Sequence, residues 1–163
     1  PVIGVATWIA KKQVKKHGPD TPNEMLNKLS FGKFNKAFEP ARTEFDWLSR
    51  DDEEVKKYID DPFCGWVAPS QFFVELLKGL KTIWNKENEA RIPKDLPIYL
   101  FSGSKDPVSN QTKGVLKLID RYKKLGIKDI KWKFYPNGRH EMFNETNRDK
   151  VVQDLIAWLG AHL

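Results

Sequence analysis

The sequence holds a single cysteine, Cys64, in 163 residues. One thiol excludes an internal disulfide, and without a metal or redox motif around it a reducing, cytoplasmic setting is expected. Its surroundings, Asp61-Pro62-Phe63-Cys64-Gly65-Trp66, contain no cation that would lower its pKa. A packed structural thiol is therefore expected rather than a nucleophile. No apolar run approaches the roughly 20 residues that a membrane-spanning helix needs. Internal repeats and low-complexity tracts are absent, and no residue set calls for a metal or a cofactor. Pro1-Val2-Ile3-Gly4 has no initiator Met, basic n-region or cleavage signature, and reads as a cut end.

What is present is ordinary for a globular chain in its 40% apolar and 31% charged residues, but not in its aromatics. Ten Phe and six Trp point to a dense core or to an apolar cavity that a ligand fills. The net charge of +6 raises the question of an anionic partner. The lysines are scattered, however, and no nucleic-acid-binding motif is visible, so no nucleic-acid partner is expected. Lys11, Lys12, Lys15 and Lys16, beside Trp8 and Ile9, read as a solvated helix face or as an amphipathic helix leaning on anionic lipid. Membrane contact is thus peripheral at most.

The chain changes character at Arg91-Ile92-Pro93, which divides it into 1–92 and 93–163. Before that point irregular helical patterns are broken by Gly18-Pro19, Pro22, Pro40, Pro62 and Pro69. A helix start is read at 46–55 with Ser49 as its cap, and another at Pro69-Ser70 with Phe72, Phe73, Leu76, Leu77 and Leu80 on its apolar side. A strand over Pro1–Trp8 is weakened by Gly4 and the lysines that follow. After the division the order is strand, helix, strand, helix. The strands are 96–101 and 130–135, and the helix between them carries Val115, Leu118, Ile119, Tyr122 and Leu125 and stops at Gly126. The last helix has Asn147 as its cap. A parallel pair with a crossover helix is a βαβ unit, and two parallel strands are too few for a sheet of their own.

Ser102-Gly103-Ser104-Lys105-Asp106-Pro107-Val108 follows the first strand directly, and Tyr135-Pro136-Asn137-Gly138-Arg139-His140 follows the second. Sites in open α/β sheets gather beyond the carboxyl ends of the strands. Asp106 and His140 therefore leave adjacent strand ends on the same side, where their side chains can meet. A carboxylate in that position holds an imidazole in one tautomer and stabilises the imidazolium formed when it accepts a proton. Taken singly, an Asp before Pro or a His in a glycine loop is most often structural. The joint placement is what carries information.

Leu100 to Val108 and Phe134 to Glu141 resemble the acid and histidine segments of the monoacylglycerol lipase/lysophospholipase-like serine hydrolases, a group that includes serine aminopeptidase-like proteins. Leu29-Ser30-Phe31-Gly32, Asn35, Arg42 to Asp51 and Asp61 to Gly65 resemble the cap of its bacterial members. The resemblance implies the C-terminal part of an α/β-hydrolase fold, with a helical cap over 1–92 and the last βαβα of a parallel sheet over 93–163. It implies that Asp106 and His140 are triad members, and the chain order Ser, Asp, His of such folds agrees. It also places the cap aromatics, among them Trp8, Phe31, Phe34, Trp47, Phe72 and Phe73, around an acyl pocket, against the alternative that they form the cap's own core.

One departure limits that reading. No Gly-x-Ser-x-Gly elbow occurs in the sequence, so neither a serine nucleophile nor its oxyanion donors can be assigned here. Ser102 and Ser104 lie in the acid turn with no elbow and are poor substitutes. The expectation is a fragment of a carboxylic ester hydrolase acting on a lipid or small ester, inactive alone and needing an N-terminal half as its partner. Self-association through the flank of its short sheet is also expected. The alternatives are a non-catalytic binding or regulatory module and an enzyme whose nucleophile is Asp.

Overall fold

The computed structural model describes residues 2–83 and 85–163. Along the chain run α1 (Val2–His17), α2 (Glu24–Phe31), α3 (Asp52–Asp60), α4 (Ser70–Ile83), α5 (Lys86–Ala90), β1 (Ile98–Gly103), α6 (Lys113–Lys124), β2 (Ile130–Tyr135) and α7 (Arg148–Gly160), with 3-10 turns at Phe34–Phe38 and Met142–Asn144. They fall into two compact units, Pro1–Lys33 with Gly65–Ile92 and Phe34–Cys64 with Pro93–Leu163. The boundary read at 92/93 is thus one of three crossings. The segment 34–64 groups with the βαβα half because polar contacts tie it there, among them Ser49 Oγ to the Asn144 carbonyl at 2.7 Å and Arg50 Nε to Glu145 at 2.8 Å.

In the first unit the weak strand pattern at the start gives way to helix from Val2 onward, and Pro1 lies outside the described residues. α1 packs on α4 around Ala10, Leu26, Ala68, Phe73 and Val74. The polar joint between them is buried Asn23. It caps α2 by accepting from Leu26 N at 3.0 Å and donates to Ser70 Oγ, at the first residue of α4, at 2.9 Å. A cavity of about 490 Å³ opens in this unit, lined by aliphatic residues such as Val5, Ile9, Leu29 and Leu77, with Phe73 the one aromatic among the described lining residues. The expected aromatic lining is therefore not found there. Trp8, Phe31, Trp66 and Phe72 are exposed.

In the second unit β1 and β2 pair in parallel, Ile98 opposite Ile130 through Gly103 opposite Tyr135. β1 starts two residues later than its apolar pattern suggested, because Leu96 N turns back to the Pro93 carbonyl and the ladder begins with Ile98 N on Asp129 O at 2.9 Å. α6 ends as expected at Gly126, whose φ of +83° suits the C′ position of a helix. Two caps differ from expectation. α3 is capped by Asp51, which accepts from Glu53 N and Glu54 N, while Ser49 Oγ accepts from Asp51 N. Asn147 precedes α7 but makes no cap bond, because its amide oxygen accepts from Arg50 Nη2 at 2.7 Å.

Tyr135, Met142 and Val151 form a buried cluster in this unit with Phe101 against them. Tyr135 Oη donates to Asp154 at 2.9 Å, and burial and that carboxylate together hold the phenol well above its ordinary pKa. Burial along β1 rises toward its carboxyl end, where Ser102 and Gly103 are the buried residues. The strands are thus anchored where the two loops leave them. No described helix is long and apolar enough to cross a membrane.

Candidate active site

β1 ends at Gly103, and the chain turns through Ser104 and Lys105 with Asp106 N returning to the Gly103 carbonyl at 3.2 Å. The Asp106 side chain is buried and accepts from Val108 N at 2.9 Å and from Ser109 N and Ser102 Oγ at 3.3 Å each. Pro107 donates nothing and fixes φ between the acid and these amides. Asn110, Gln111 and Thr112 then take φ values of 53°, 48° and 70°, a run of left-handed residues costing on the order of 1 kcal/mol each. Bonds from Gln111 N to the Asp106 carbonyl (2.8 Å) and Thr112 N to Ser109 Oγ (3.0 Å) hold the turn against that cost. Burial pushes the Asp106 pKa up, but the hydrogen bond and charge of His140, then the Val108 and Ser109 donors, outweigh it and leave it below the ordinary value.

β2 ends at Tyr135, and Asn137 at φ 59° and Gly138 turn the chain toward His140. The two loops are locked edge to edge. Ser104 N reaches the Tyr135 carbonyl and Lys105 N the Gly138 carbonyl, both at 2.9 Å, and Asn137 N reaches Ser104 Oγ at 2.8 Å. The approach is so close that a Cβ on Gly103 would stand 2.1 Å from the Gly138 carbonyl oxygen. Only glycine fits there.

This lock brings together the two residues singled out in the sequence. His140 Nδ1 stands 3.1 Å from Asp106 Oδ1. An ionised carboxylate only accepts, so Nδ1 carries the shared proton and the lone pair of the neutral ring lies on Nε2. Among the described residues Nε2 has no hydrogen-bond partner, and the side chain is 37% exposed.

Under the histidine lies a platform that the sequence did not reveal. Its amide donates to the Trp47 carbonyl at 3.4 Å, and Glu141 N to the Leu48 carbonyl at 2.8 Å. The Trp47 ring sits 5.3 Å from the imidazole, centroid to centroid, and 5.0 Å from Phe34. Asn35 fixes this stretch by accepting from Trp47 N at 2.9 Å and donating to the Thr43 carbonyl at 2.6 Å. Asp46 braces it with Thr43 Oγ1 (2.5 Å) and Arg42 N (2.8 Å), and the Arg139 guanidinium donates to the carbonyls of Asp46 and Ser49. No short-range signal could have found these contacts. Arg139 and Ser49 are 90 residues apart in the chain.

The remaining nucleophile candidates are occupied otherwise. Ser102 Oγ lies against Asp106 and Ser109 Oγ, and Ser104 Oγ accepts from Asn137 N. Burial, then Asp61 and Glu141, raises the pKa of the Cys64 thiol, which therefore stays protonated near neutrality. No group of three or more His, Cys, Asp or Glu among the described residues is placed to hold a metal ion. The arrangement leaves the Nε2 lone pair open beside a carboxylate that holds Nδ1, which is the geometry a general base requires.

Residues 2–147, a span that includes both Asp106 and His140, match the family model described as serine aminopeptidase, S33. A monoacylglycerol lipase of Mycolicibacterium smegmatis is 29% identical over 121 residues, which are 72% of this chain and 40% of that protein. A thermostable carboxyl esterase from Bacillus coagulans, crystallised with glycerol, superposes with a TM-score of 0.83 at 22% identity, covering 99% of this chain and 53% of the esterase. A soluble variant of the monoglyceride lipase from Saccharomyces cerevisiae gives 0.59 at 22% identity, with 99% and 62% covered. The chain thus spans roughly half the length of these relatives. The solved neighbours are α/β-hydrolases, and the parallel β1–β2 pair with its helices is a part of that fold.

Proposed function

The chain belongs to the serine aminopeptidase S33 family of α/β-hydrolases, and from that premise we propose that Asp106 and His140 are the acid and the base of a serine-dependent carboxylic ester hydrolase. The observation that carries the reading is the 3.1 Å contact between His140 Nδ1 and Asp106 Oδ1 at the carboxyl ends of two paired parallel strands.

In this reading a serine hydroxyl attacks the ester carbonyl while His140 Nε2 takes its proton. Asp106 holds the imidazole by Nδ1–H and stabilises the imidazolium that results. The tetrahedral intermediate collapses, the proton passes from Nε2 to the leaving alcohol, and an acyl-serine remains. Water then attacks that ester by the same route, giving up a proton to Nε2 and releasing the carboxylic acid and the serine. The sequence has no Gly-x-Ser-x-Gly elbow, so the nucleophile and oxyanion donors are assigned to residues outside these 163. The 163 residues alone are then inactive.

Monoacylglycerol- or lysophospholipid-like esters are the proposed substrates, and the rest of the α/β sheet is the proposed partner of β1 and β2. Self-association of the isolated chain would follow from the same unpaired sheet flank. The basic stretch Lys11 to Lys16 of α1 gives at most peripheral contact with a lipid surface, and the lone thiol suits a cytoplasmic location. The test is steady-state hydrolysis of a nitrophenyl ester and of a monoacylglycerol by the full-length protein and its Asp106→Asn and His140→Ala variants. Loss of kcat in both variants, with the fold retained, is expected. Unchanged turnover in either would make the pair structural.

A further inference from the structure

Glu145 has no solvent exposure, and the proton-transfer chemistry does not use it. Every partner of its carboxylate is a donor. Oε1 accepts from Arg139 N at 2.7 Å and Arg50 N at 3.3 Å, while Oε2 accepts from Arg50 Nε at 2.8 Å and Thr146 N at 3.0 Å. A buried carboxylate is costly unless all its acceptor sites are filled, and here donors stand on both oxygens. Those donors come from the stretch ending at Arg50, 95 residues before Glu145 in sequence, and from the loop carrying His140. The Arg139 amide belongs to the residue immediately before the histidine.

Resting on the catalytic reading above, we propose that Glu145 is the positioning residue of His140. It clamps the peptide in front of the histidine onto the 46–50 platform and so keeps Nδ1 within reach of Asp106. The bonds around it act in the same direction. Arg139 donates to the Asp46 and Ser49 carbonyls and lies over the Phe38 ring at 4.3 Å, and Ser49 Oγ donates to the Asn144 carbonyl. Without the carboxylate, the Arg139 and Arg50 amides and Arg50 Nε lose the acceptor they share, while Arg50 Nη2 keeps Asn147, and the loop must move to offer another. A displacement of about 1 Å at a catalytic group is worth on the order of 100-fold in rate.

The experiment uses the full-length protein with Glu145→Gln, which keeps the shape but presents an NH2 to one of the donors, and with Arg50→Lys, which keeps the charge but loses the forked contact. Each is measured for kcat, KM, folded fraction by circular dichroism, and the downfield proton resonance of the hydrogen-bonded His140 Nδ1–H. Expected are a fall in kcat of about 10- to 100-fold with KM within about twofold, and loss or broadening of the Nδ1–H resonance in folded protein. Should Glu145→Gln not fold, Arg50→Lys must show the same signature with a smaller loss. Retention of kcat and of the resonance in a folded variant overturns the proposal, as does a rise in KM alone. If His140→Ala retains turnover, the catalytic reading has failed. If His140→Ala abolishes turnover and the Glu145 and Arg50 variants do not reduce it, only the positioning role has.

Discussion

Gly103→Ala is the most informative single change in this chain. An added Cβ would stand 2.1 Å from the Gly138 carbonyl oxygen and 2.2 Å from the Arg139 carbonyl oxygen, both backbone atoms that cannot rotate away. Relief requires the histidine loop to retreat by about 1 Å or more, since backbone clashes of this kind are removed only by moving the chain. That retreat breaks the facing bonds from Lys105 N to Gly138 O and from Ser104 N to Tyr135 O. Overpacking costs roughly 1–3 kcal/mol and each lost hydrogen bond about 1 kcal/mol, so a loss of about 3–5 kcal/mol is expected. The same retreat lengthens the 3.1 Å contact between His140 and Asp106, for which a fall in kcat on the order of 100-fold is expected. Urea unfolding gives the first number, and ester hydrolysis by the folded fraction of the full-length variant gives the second. A variant with an unchanged midpoint and with kcat within twofold of the parent would show that the two loops are not coupled as described.

Other outcomes follow from the same geometry. Asp106→Asn should lower kcat by about four orders of magnitude, the loss seen when an orienting acid becomes an amide, with little change in KM. Because the folded pKa of Asp106 is depressed, its contribution to stability is fully present above the ordinary carboxylate pKa and fades as pH falls through the folded value. Asp106→Ala should therefore flatten the acid limb of a denaturation-against-pH curve, and a limb identical to the parent's would count against the depressed pKa. Ile119→Val, at a 1% exposed position in α6, should cost about 1 kcal/mol in unfolding free energy and leave kcat unchanged.

How far the sequence could be read depended on whether the cause of a feature was local. β2 was legible to the residue because Ile130 to Tyr135 alternates and is bounded by turn residues. β1 was displaced by two because Leu96 and Pro97 look apolar, although Leu96 N is already engaged in a turn. Asp106 and His140 were legible because each follows a strand at a short distance, and the parallel register did the rest. The caps of α3 and α7 were misread for a shared reason: Ser49 and Asn147 are diverted into tertiary bonds, with Asn144 and Arg50 respectively. The platform of Trp47, Arg139 and Glu145 was invisible for the same reason. Its logic lies in contacts across 90 residues or more, which no periodicity encodes. The aromatic stock pointed to a dense core or to a cavity, and the cavity that α1, α2 and α4 form is lined mainly by aliphatic residues among those described.

In the proposed reaction His140, oriented by Asp106, activates a serine. Labelling of the full-length protein with a fluorophosphonate, followed by peptide mass mapping, tests it most directly, because such reagents react far faster with an activated serine hydroxyl than with an ordinary one. The expected result is one stoichiometric adduct on a serine outside residues 1–163, formed much more slowly after His140→Ala. No adduct at all, an adduct on Ser102 or Ser104, or a rate indifferent to His140→Ala would contradict it.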